Sequence, residues 1–328
     1  MVRIKNEVLQ DLYGTIDHEK VSEMIRNEFS VIYHGPKAVD EWVKLKIPYK
    51  APFQPGIPSL EEIGIAMQTH SLKHPSGCYP EAENLLYLEQ HTKVRAPRLY
   101  AAFQEYYEGG MENFMVMEYV EGDFMTMEKF QAMDERDQEI ITSKFSEQLQ
   151  LLRSVEPPEN GYYGRIYRQG WNPHFNFLSH RFAHLSGPYD TYDDFLSAMY
   201  NASEHYFATR SWTSDFSNEE VKFLADIKRV LGNGKGSRPV LTHLDLKWDN
   251  ILVRPVKSAD GNTIEDWQLT FIDWDTLGWA PAYLQNVSLW QRLDLYGKPQ
   301  ERVLEGMQGF LNKVWAFGEE QYDAEYDI

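Results

Sequence analysis

Three polar residues near the end of the chain have types and a spacing that suit phosphoryl transfer. Asp245 and Asn250 lie in the pattern H-x-D-L-K-x-x-N, and Asp273 follows at the end of an apolar run. This chemistry needs an acceptor hydroxyl held in line and a metal that neutralises the triphosphate. We predict that Asp245 accepts a hydrogen bond from the acceptor hydroxyl as the base. Asn250 and Asp273 would offer oxygens to magnesium, which prefers hard oxygen ligands.

A predicted hairpin brings the two metal ligands together. Residues 251–253 and 267–272 have the composition of strands, and the turn sequence Ala-Asp-Gly-Asn lies between them at 259–262. Because a hairpin returns the chain, Asn250 and Asp273 at its two ends can face one point. The plainer alternative is a solvated, aspartate-rich loop followed by a strand, and the fixed spacing of the three residues argues against it.

Two further residues of the same loop are candidates for catalytic roles. We expect His243 to support the loop by hydrogen bonding more than to act as a base. Lys247 either contacts the transferred phosphate or is solvated, since a lysine is a flexible point charge that suits phosphate but is common on surfaces. Both interpretations of Lys247 stay open at the level of the sequence.

The candidate nucleotide-binding residues lie in the first third of the chain. Residues 42–47 alternate as a strand does, and Lys46 is our choice for the lysine on the α- and β-phosphates. Lys44 lies on the same face by the period of two, so the strand register does not choose between them. Glu81, at the start of the predicted helix EAENLLYLEQ, would pair with that lysine, with Glu83 as the alternative partner. Ordinary surface charges are the plainer interpretation of these residues.

A candidate adenine-binding connector follows the apolar segment 115–120. There the backbone carbonyl of Glu118 and the backbone N–H of Val120 could bond to the edge of the base. Any strand end offers such groups, so this prediction rests only on the position of the segment in the chain and not on the residue types.

The order of the predicted elements indicates an α+β fold. The predicted strands are 29–33, 42–47, 98–103, 114–119 and 240–244, besides the hairpin. The predicted helices are 17–28, 59–70, 81–90, 135–153, 191–209 and 218–231, and the chain after the hairpin is predicted to be helical. We therefore expect a small antiparallel-sheet lobe over 1–120 and a larger, mainly helical lobe over 121–328. Clefts between lobes are favoured ligand sites.

Composition excludes several classes of function. The formal net charge of −18 argues against a nucleic-acid partner, although it is compatible with a cationic small substrate. The single cysteine, Cys78, excludes an intramolecular disulfide and a cysteine-based zinc site. We find no signal-peptide pattern and no run of about 18 apolar residues, so we expect no membrane span and a cytosolic location. The sequence does not indicate an oligomeric state.

These segments resemble the aminoglycoside phosphotransferase and choline kinase superfamily, most closely its fungal phosphotransferase branch. The resemblance rests on HLDLKWDNILV, FIDWD, EAENLLYLEQHTKVRAPRLYAAF and FMVMEYVEGD, and runs in patches over about residues 40 to 290. It implies a bilobal, protein-kinase-like fold and ATP or GTP with magnesium. The acceptor would be a hydroxyl of a small molecule, with an amine or aminoglycoside-like compound among the candidates.

The resemblance also implies a role for each matching residue. The positions similar to the family's site are Asp245 as catalytic base, Asn250 and Asp273 as metal ligands, Lys46 and Glu81 as the lysine–glutamate pair, and Glu118 to Val120 as the hinge. The family's glycine-bearing hairpin over the phosphates is not matched, because the corresponding region, FSVIYHGPKAVDEW, has only Gly35.

The missing glycines motivate an alternative function, a catalytically weak or inactive kinase-like binding protein. Nucleotidyl transfer on the same scaffold is a third possibility. A protein kinase is disfavoured because the metal motif reads Ile-Asp-Trp and not Asp-Phe-Gly. The sequence Ala-Pro-Ala at 280–282 also follows Asp273 too soon to enclose an activation segment, and it lacks the glutamate.

Overall fold

The structure, a computed structural model, combines helices with small antiparallel sheets. It describes residues 3–34, 43–53, 78–107, 110–171, 186–210, 215–231 and 236–285, together with residues 55, 56, 59, 62 and 213. Most of the predicted helix 59–70, the segment 35–42 that includes Gly35, and all of the chain after residue 285 lie outside these residues. Within them, the predicted α+β class is confirmed.

Seven α-helices are present in the described residues. They are α1 (Lys5–Tyr13), α2 (His18–His34), α3 (Cys78–His91), α4 (Met127–Ala132), α5 (Glu135–Arg153), α6 (Tyr192–Arg210) and α7 (Asn218–Leu231). The start of α5 follows from a capping residue, because the Asp134 side chain accepts a hydrogen bond from the Asp137 backbone N–H at 2.8 Å. None of the helices in this part of the chain is long and apolar enough to span a bilayer.

The nine strands of the described residues form three sheets of three strands. The first sheet contains β1 (Tyr49–Lys50), β2 (Leu99–Tyr107) and β3 (Gly110–Met117). The second contains β4 (Asp123–Phe124), β7 (Ile251–Lys257) and β8 (Ile264–Phe271). The third contains β5 (Gly164–Arg165), β9 (Leu277–Pro281) and β6 (Pro239–His243). All recorded pairings are antiparallel.

The predicted hairpin between Asn250 and Asp273 is confirmed. Strands β7 and β8 pair from Ile251 with Phe271 outward to Lys257 with Ile264. The buried start of β7 pairs with the buried end of β8. Asn250, which precedes β7, and Asp273, which follows β8, therefore lie at the same end of the hairpin.

Three local predictions were wrong. Residues 29–33 continue helix α2, because apolar residues recur every three to four positions from Val21 through Ile25 and Phe29. Residues 43–48 form no strand, since the backbone N–H groups of Lys44 and Leu45 bond to a carboxylate instead of a neighbouring strand. Residues 277–281 form strand β9 and not a helix, buried at every position between β5 and β6.

The N-terminal helix packs against the second half of the chain. Val8, Leu9 and Tyr13 of α1 form a small buried core with Ala208 of α6. Nε of Arg3 lies 3.2 Å from Oε2 of Glu204, whose side chain is fully buried. Residues 3–13 therefore contact α6, and a division of the chain into lobes at residue 120 stays a prediction.

Candidate active site

Hydrogen bonds join the loop that carries Asp245 to the hairpin that precedes Asp273. Nδ2 of Asn250 donates to the backbone carbonyl of Asp245 at 2.7 Å, and the backbone N–H of Ile272 donates to the carbonyl of Asn250 at 3.0 Å. The Asn250 side chain is buried. Its amide nitrogen is occupied by Asp245, which leaves the amide oxygen as the atom that could bind a metal.

His243 holds this loop through both ring nitrogens. Its Nε2 lies 3.1 Å from the Ile272 carbonyl, and the Asp245 backbone N–H lies 3.3 Å from its Nδ1. A carbonyl only accepts and a backbone N–H only donates, so the tautomer with hydrogen on Nε2 fits both bonds. Burial lowers the pKa of His243, which keeps the ring neutral at neutral pH.

Three charged residues surround this buried imidazole. Asp245 and Asp273 raise the pKa of His243 and Lys247 lowers it, all as smaller effects than burial. Nζ of Lys247 also lies 3.5 Å from Oδ2 of Asp245. The structure therefore brings His243, Asp245, Lys247, Asn250 and Asp273 to one end of the hairpin.

Gln285 is a part of this region that sequence reasoning missed. Its side chain is fully buried, accepts a hydrogen bond from the His243 backbone N–H at 3.1 Å and donates to the His243 carbonyl at 2.9 Å. A glutamine 42 positions away carries no motif that would have pointed to this contact.

The turn that contains Asp273 is fixed by helix α3. Asp273 has a left-handed backbone, with φ 64° and ψ 56°. A non-glycine residue in this region costs about 1–3 kcal/mol and persists only where its surroundings hold it. The Trp274 backbone N–H donates to Oε1 of Glu81 at 3.1 Å, and Nδ2 of Asn84 donates to the Trp274 carbonyl at 2.6 Å.

The predicted lysine–glutamate pair is not brought together. Lys46 is exposed, and in the described residues no ion pair joins it to Glu81. Glu83, the alternative partner, contacts the segment before Lys46 instead. Its Oε1 accepts the backbone N–H groups of Lys44 and Leu45, the latter at 2.9 Å.

The connector after β3 lies against strand β7. The Glu118 backbone N–H donates to the Arg98 carbonyl at 2.8 Å, and Nη1 of Arg254 donates to Oε2 of Glu121 at 2.8 Å. A Cβ on Gly122 would lie 3.0 Å from the Val253 carbonyl oxygen, so the close approach requires glycine. Within the described chain, neither the Glu118 carbonyl nor the backbone N–H of the half-buried Val120 forms a hydrogen bond with another residue.

The donor set at the end of the hairpin fits magnesium in its chemistry. Asn250 offers an amide oxygen and Asp273 a carboxylate, both hard ligands. The described residues contain no group of three or more His, Cys, Asp or Glu side chains placed to hold a metal. One carboxylate and one amide would not form such a group, since magnesium usually completes its coordination with water and substrate phosphates.

The family of the chain follows from a comparison with protein-family models. The phosphotransferase enzyme family matches residues 65–320, well over half of the chain, and the chain belongs to this family. Membership confirms the predicted activity class, a kinase with an alcohol group as acceptor, and together with the antiparallel sheets it confirms the kinase-like α+β fold. No protein among the curated ones matches the chain.

Several solved structures are similar to the chain at low identity. Aminoglycoside phosphotransferase APH(3'')-Id from Streptomyces rimosus, in complex with ADP and streptomycin, is 13% identical with a TM-score of 0.38, over 73% of this chain and 76% of that one. The gentamicin complex of APH(2'')-IIa is 14% identical with a TM-score of 0.38, over 75% and 71%. ADP-bound APH(2'')-Ib is 11% identical with a TM-score of 0.37, over 85% and 97%. Similarity at this level carries no information on the acceptor of this chain.

Proposed function

We propose that the protein transfers the γ-phosphoryl group of ATP or GTP to a hydroxyl of a small molecule. Family membership supports the reaction class. The observation that carries the assignment of residues is the pair of hydrogen bonds from Asn250 to Asp245 and from Ile272 to Asn250, which join the loop to the residue before Asp273. The net charge of −18 favours an acceptor with positive charge, such as an amine.

In this proposal the loop residues position and activate the acceptor. Asp245 accepts the hydrogen bond of the acceptor hydroxyl and takes its proton as the hydroxyl attacks. Lys247, 3.5 Å from that carboxylate, neutralises charge that builds up on the transferred group. His243 stays neutral and keeps the Asp245 backbone in place through its Nδ1.

Asn250 and Asp273 would hold magnesium in this proposal. When bound, the ion neutralises the negative charge of the phosphates. The buried amide of Asn250 is oriented by the Asp245 carbonyl, and the Asp273 turn is oriented by Glu81 and Asn84. The Asn250 side chain and the backbone of the Asp273 turn are thus held by protein contacts that do not depend on a ligand.

In this proposal the nucleotide is bound by Lys46 and by the connector after β3. Lys46 would contact the α- and β-phosphates, and the Glu118 carbonyl and Val120 N–H would bind the base. Substituting Lys46→Met and, as its matched pair, Lys44→Met decides between the two lysines. We expect only the first to weaken MgATP binding measured by calorimetry, and the reverse order would assign the phosphate role to Lys44.

The decisive test of the proposed function is a screen of hydroxylated metabolites for nucleotide consumption. We expect wild-type protein to form ADP and a phosphorylated product with at least one acceptor, and Asp245→Asn to lose that activity while it keeps its fold and MgATP affinity. Asp249→Asn is the matched control, because Asp249 is an exposed carboxylate in the same loop. Wild-type turnover by Asp245→Asn would contradict the role of Asp245.

The alternative of a weak or inactive kinase-like binding protein is favoured by one observation. Residues 29–34, where the sequence resemblance places the start of the phosphate flap, belong to helix α2. This alternative predicts MgATP binding without ADP formation for every acceptor, whereas nucleotidyl transfer predicts a product that gains a nucleotide in mass spectrometry. A cytosolic location stays a prediction for a separate experiment.

A further inference from the structure

A buried ion pair connects helix α3 to a strained loop of the second half of the chain. Nη2 of Arg165 lies 3.1 Å from Oε2 of Glu83, with the two side chains 4% and 2% exposed. Nε2 of Gln169 donates to the same carboxylate oxygen at 2.6 Å. The other oxygen, Oε1, accepts the backbone N–H groups of Lys44 and Leu45. One carboxylate therefore links the 165–169 loop to the segment that leads to Lys46.

The 165–169 loop is itself held tightly. The Tyr162 hydroxyl donates to the Arg165 carbonyl at 2.9 Å and accepts from the Arg168 backbone N–H at 2.8 Å. Between these bonds, Tyr167 and Arg168 both have left-handed backbones, with φ 54° and 59°. Such conformations persist only where surrounding contacts impose them. The loop thus presents Arg165 and Gln169 to helix α3 from a fixed position.

Arg165 also lies beside the strand that follows the candidate metal turn. It pairs with Gly278 of β9, and β9 begins shortly after Asp273. Burial lowers the pKa of Arg165, while the charges of Glu83 and Asp275 favour its protonated form. The guanidinium of Arg165 thus interacts with Glu83 on helix α3 and with Asp275, two residues after Asp273.

We propose that Arg165 is a positioning residue for nucleotide binding, which acts through Glu83 on the Lys44–Lys46 segment. Two backbone N–H groups can be held by one buried carboxylate only if its charge is balanced, because an isolated buried charge is strongly unfavourable. Arg165 supplies that balance at Oε2, and Gln169 donates to the same oxygen, which leaves Oε1 for the two backbone N–H groups. Without Arg165, the carboxylate would take up solvent or a proton, and the segment before Lys46 would lose its anchor. This inference rests on the proposed function, since it assigns Lys46 to the phosphates.

The test compares two arginine-to-methionine variants in the same loop of the full chain. Arg165→Met removes the partner of Glu83, whereas Arg168→Met removes an arginine that pairs with Asp190 at the surface. We expect Arg165→Met to raise the Kd for MgATP at least about tenfold, and Arg168→Met to change it by less than about twofold. Hydrogen exchange of residues 43–47 should speed up in the first variant only, with or without nucleotide.

Two more variants separate positioning from a general loss of stability. Glu204→Gln weakens another arginine–carboxylate pair, between Arg3 and the fully buried Glu204 side chain of helix α6, and should lower Tm without changing the Kd. Arg165→Lys keeps the charge but not the planar fork, so its Kd should lie between wild type and Arg165→Met. If Arg165→Met does not fold, Arg165→Lys is judged by the same measurements against Arg168→Lys.

The outcomes distinguish this inference from the proposed function. If wild type binds MgATP and Arg165→Met binds it equally well, the inference is wrong and the proposed function stands. The inference is also wrong if exchange at 43–47 is unchanged, or if Glu204→Gln weakens binding as much. If wild type binds no nucleotide, both are wrong.

Discussion

The backbone N–H of Trp274 donates a hydrogen bond of 3.1 Å to Oε1 of Glu81. This bond links the first turn of helix α3 to the turn at Asp273, 193 positions away in the chain. The sequence suggested Glu81 as a partner for a phosphate-binding lysine. In the structure this carboxylate instead fixes the residue that follows the candidate metal ligand.

Replacing Glu81 should therefore affect the magnesium-dependent part of nucleotide binding. We expect Glu81→Ala to weaken MgATP binding by about tenfold, since losing a hydrogen bond to a charged group costs about 1.5–3 kcal/mol and the Asp273 turn would relax. ATP binding without magnesium should change much less. Calorimetry with and without the ion measures both quantities.

Two companion variants make this result specific. Glu81→Gln retains an oxygen that can accept from Trp274, so it should bind MgATP nearly as wild type does if the turn is what Glu81 holds. Weak binding by Glu81→Gln would instead indicate that the negative charge is needed for a lysine. Glu89→Ala, at an exposed position of the same helix, should have no effect.

Local signals account for what the sequence predicted well. The hairpin and the loop before it lie within a short stretch, so turn chemistry and alternation were enough to place Asn250 and Asp273 at one end. Helix 135–153 was predicted at its observed bounds, because Asp134 supplies a cap and the apolar period is clear. Such features depend on residues close in sequence.

Contacts between distant segments account for what the sequence missed. The alternation of residues 42–47 is typical of a strand, yet the N–H groups of Lys44 and Leu45 bond to the Glu83 carboxylate, 39 and 38 positions away. The contacts of Gln285 with His243 and of Arg165 with Glu83 have no local pattern either. A single sequence gives the residue types of such contacts but not their meeting in space.

Gln285 should be essential for the stability of the candidate site. Gln285→Leu leaves the buried N–H and carbonyl of His243 without these partners, and each unsatisfied group costs about 1–3 kcal/mol. We expect the free energy of unfolding, measured in denaturant, to fall by at least about 2 kcal/mol. Gln104→Leu, at an exposed position of β2, is the control and should change it by less than about 0.5 kcal/mol. Equal stability of the two variants would contradict this role.

Gly278 is a position where a single methyl group should be disruptive. A Cβ there would lie 2.5 Å from a ring carbon of Trp171 and 2.8 Å from the Gly164 carbonyl oxygen. Gly278→Ala should lower the free energy of unfolding by about 1–3 kcal/mol through overpacking. Gly56→Ala is the matched control, because a Cβ at Gly56 meets no atom within 4 Å. If both substitutions lower stability equally, the close packing of Trp171 on Gly278 is wrong.

The buried side chain of Lys5 should make the free energy of unfolding depend on pH. Its side chain is fully buried, and burial lowers the pKa of Lys5 despite the opposing charges of Glu220 and Asp215. The folded pKa thus lies below the unfolded value of about 10.4. As the pH falls through this interval, the unfolded chain takes up a proton that the folded chain does not, so stability is lost on acidification and stays reduced at neutral pH.

Removing the charge of Lys5 should therefore stabilise the protein more at neutral pH than at alkaline pH. We expect the free energy of unfolding of Lys5→Met, relative to wild type, to be higher at pH 7 than at pH 10. Methionine loses contacts such as the 3.2 Å bond to Thr213 at both pH values, so their loss shifts both relative stabilities and does not produce this difference. Lys20→Met, at an exposed position paired with Asp17, should show no such difference. A relative stability of Lys5→Met that is lower at pH 7 than at pH 10 would show that the fold favours the charged lysine.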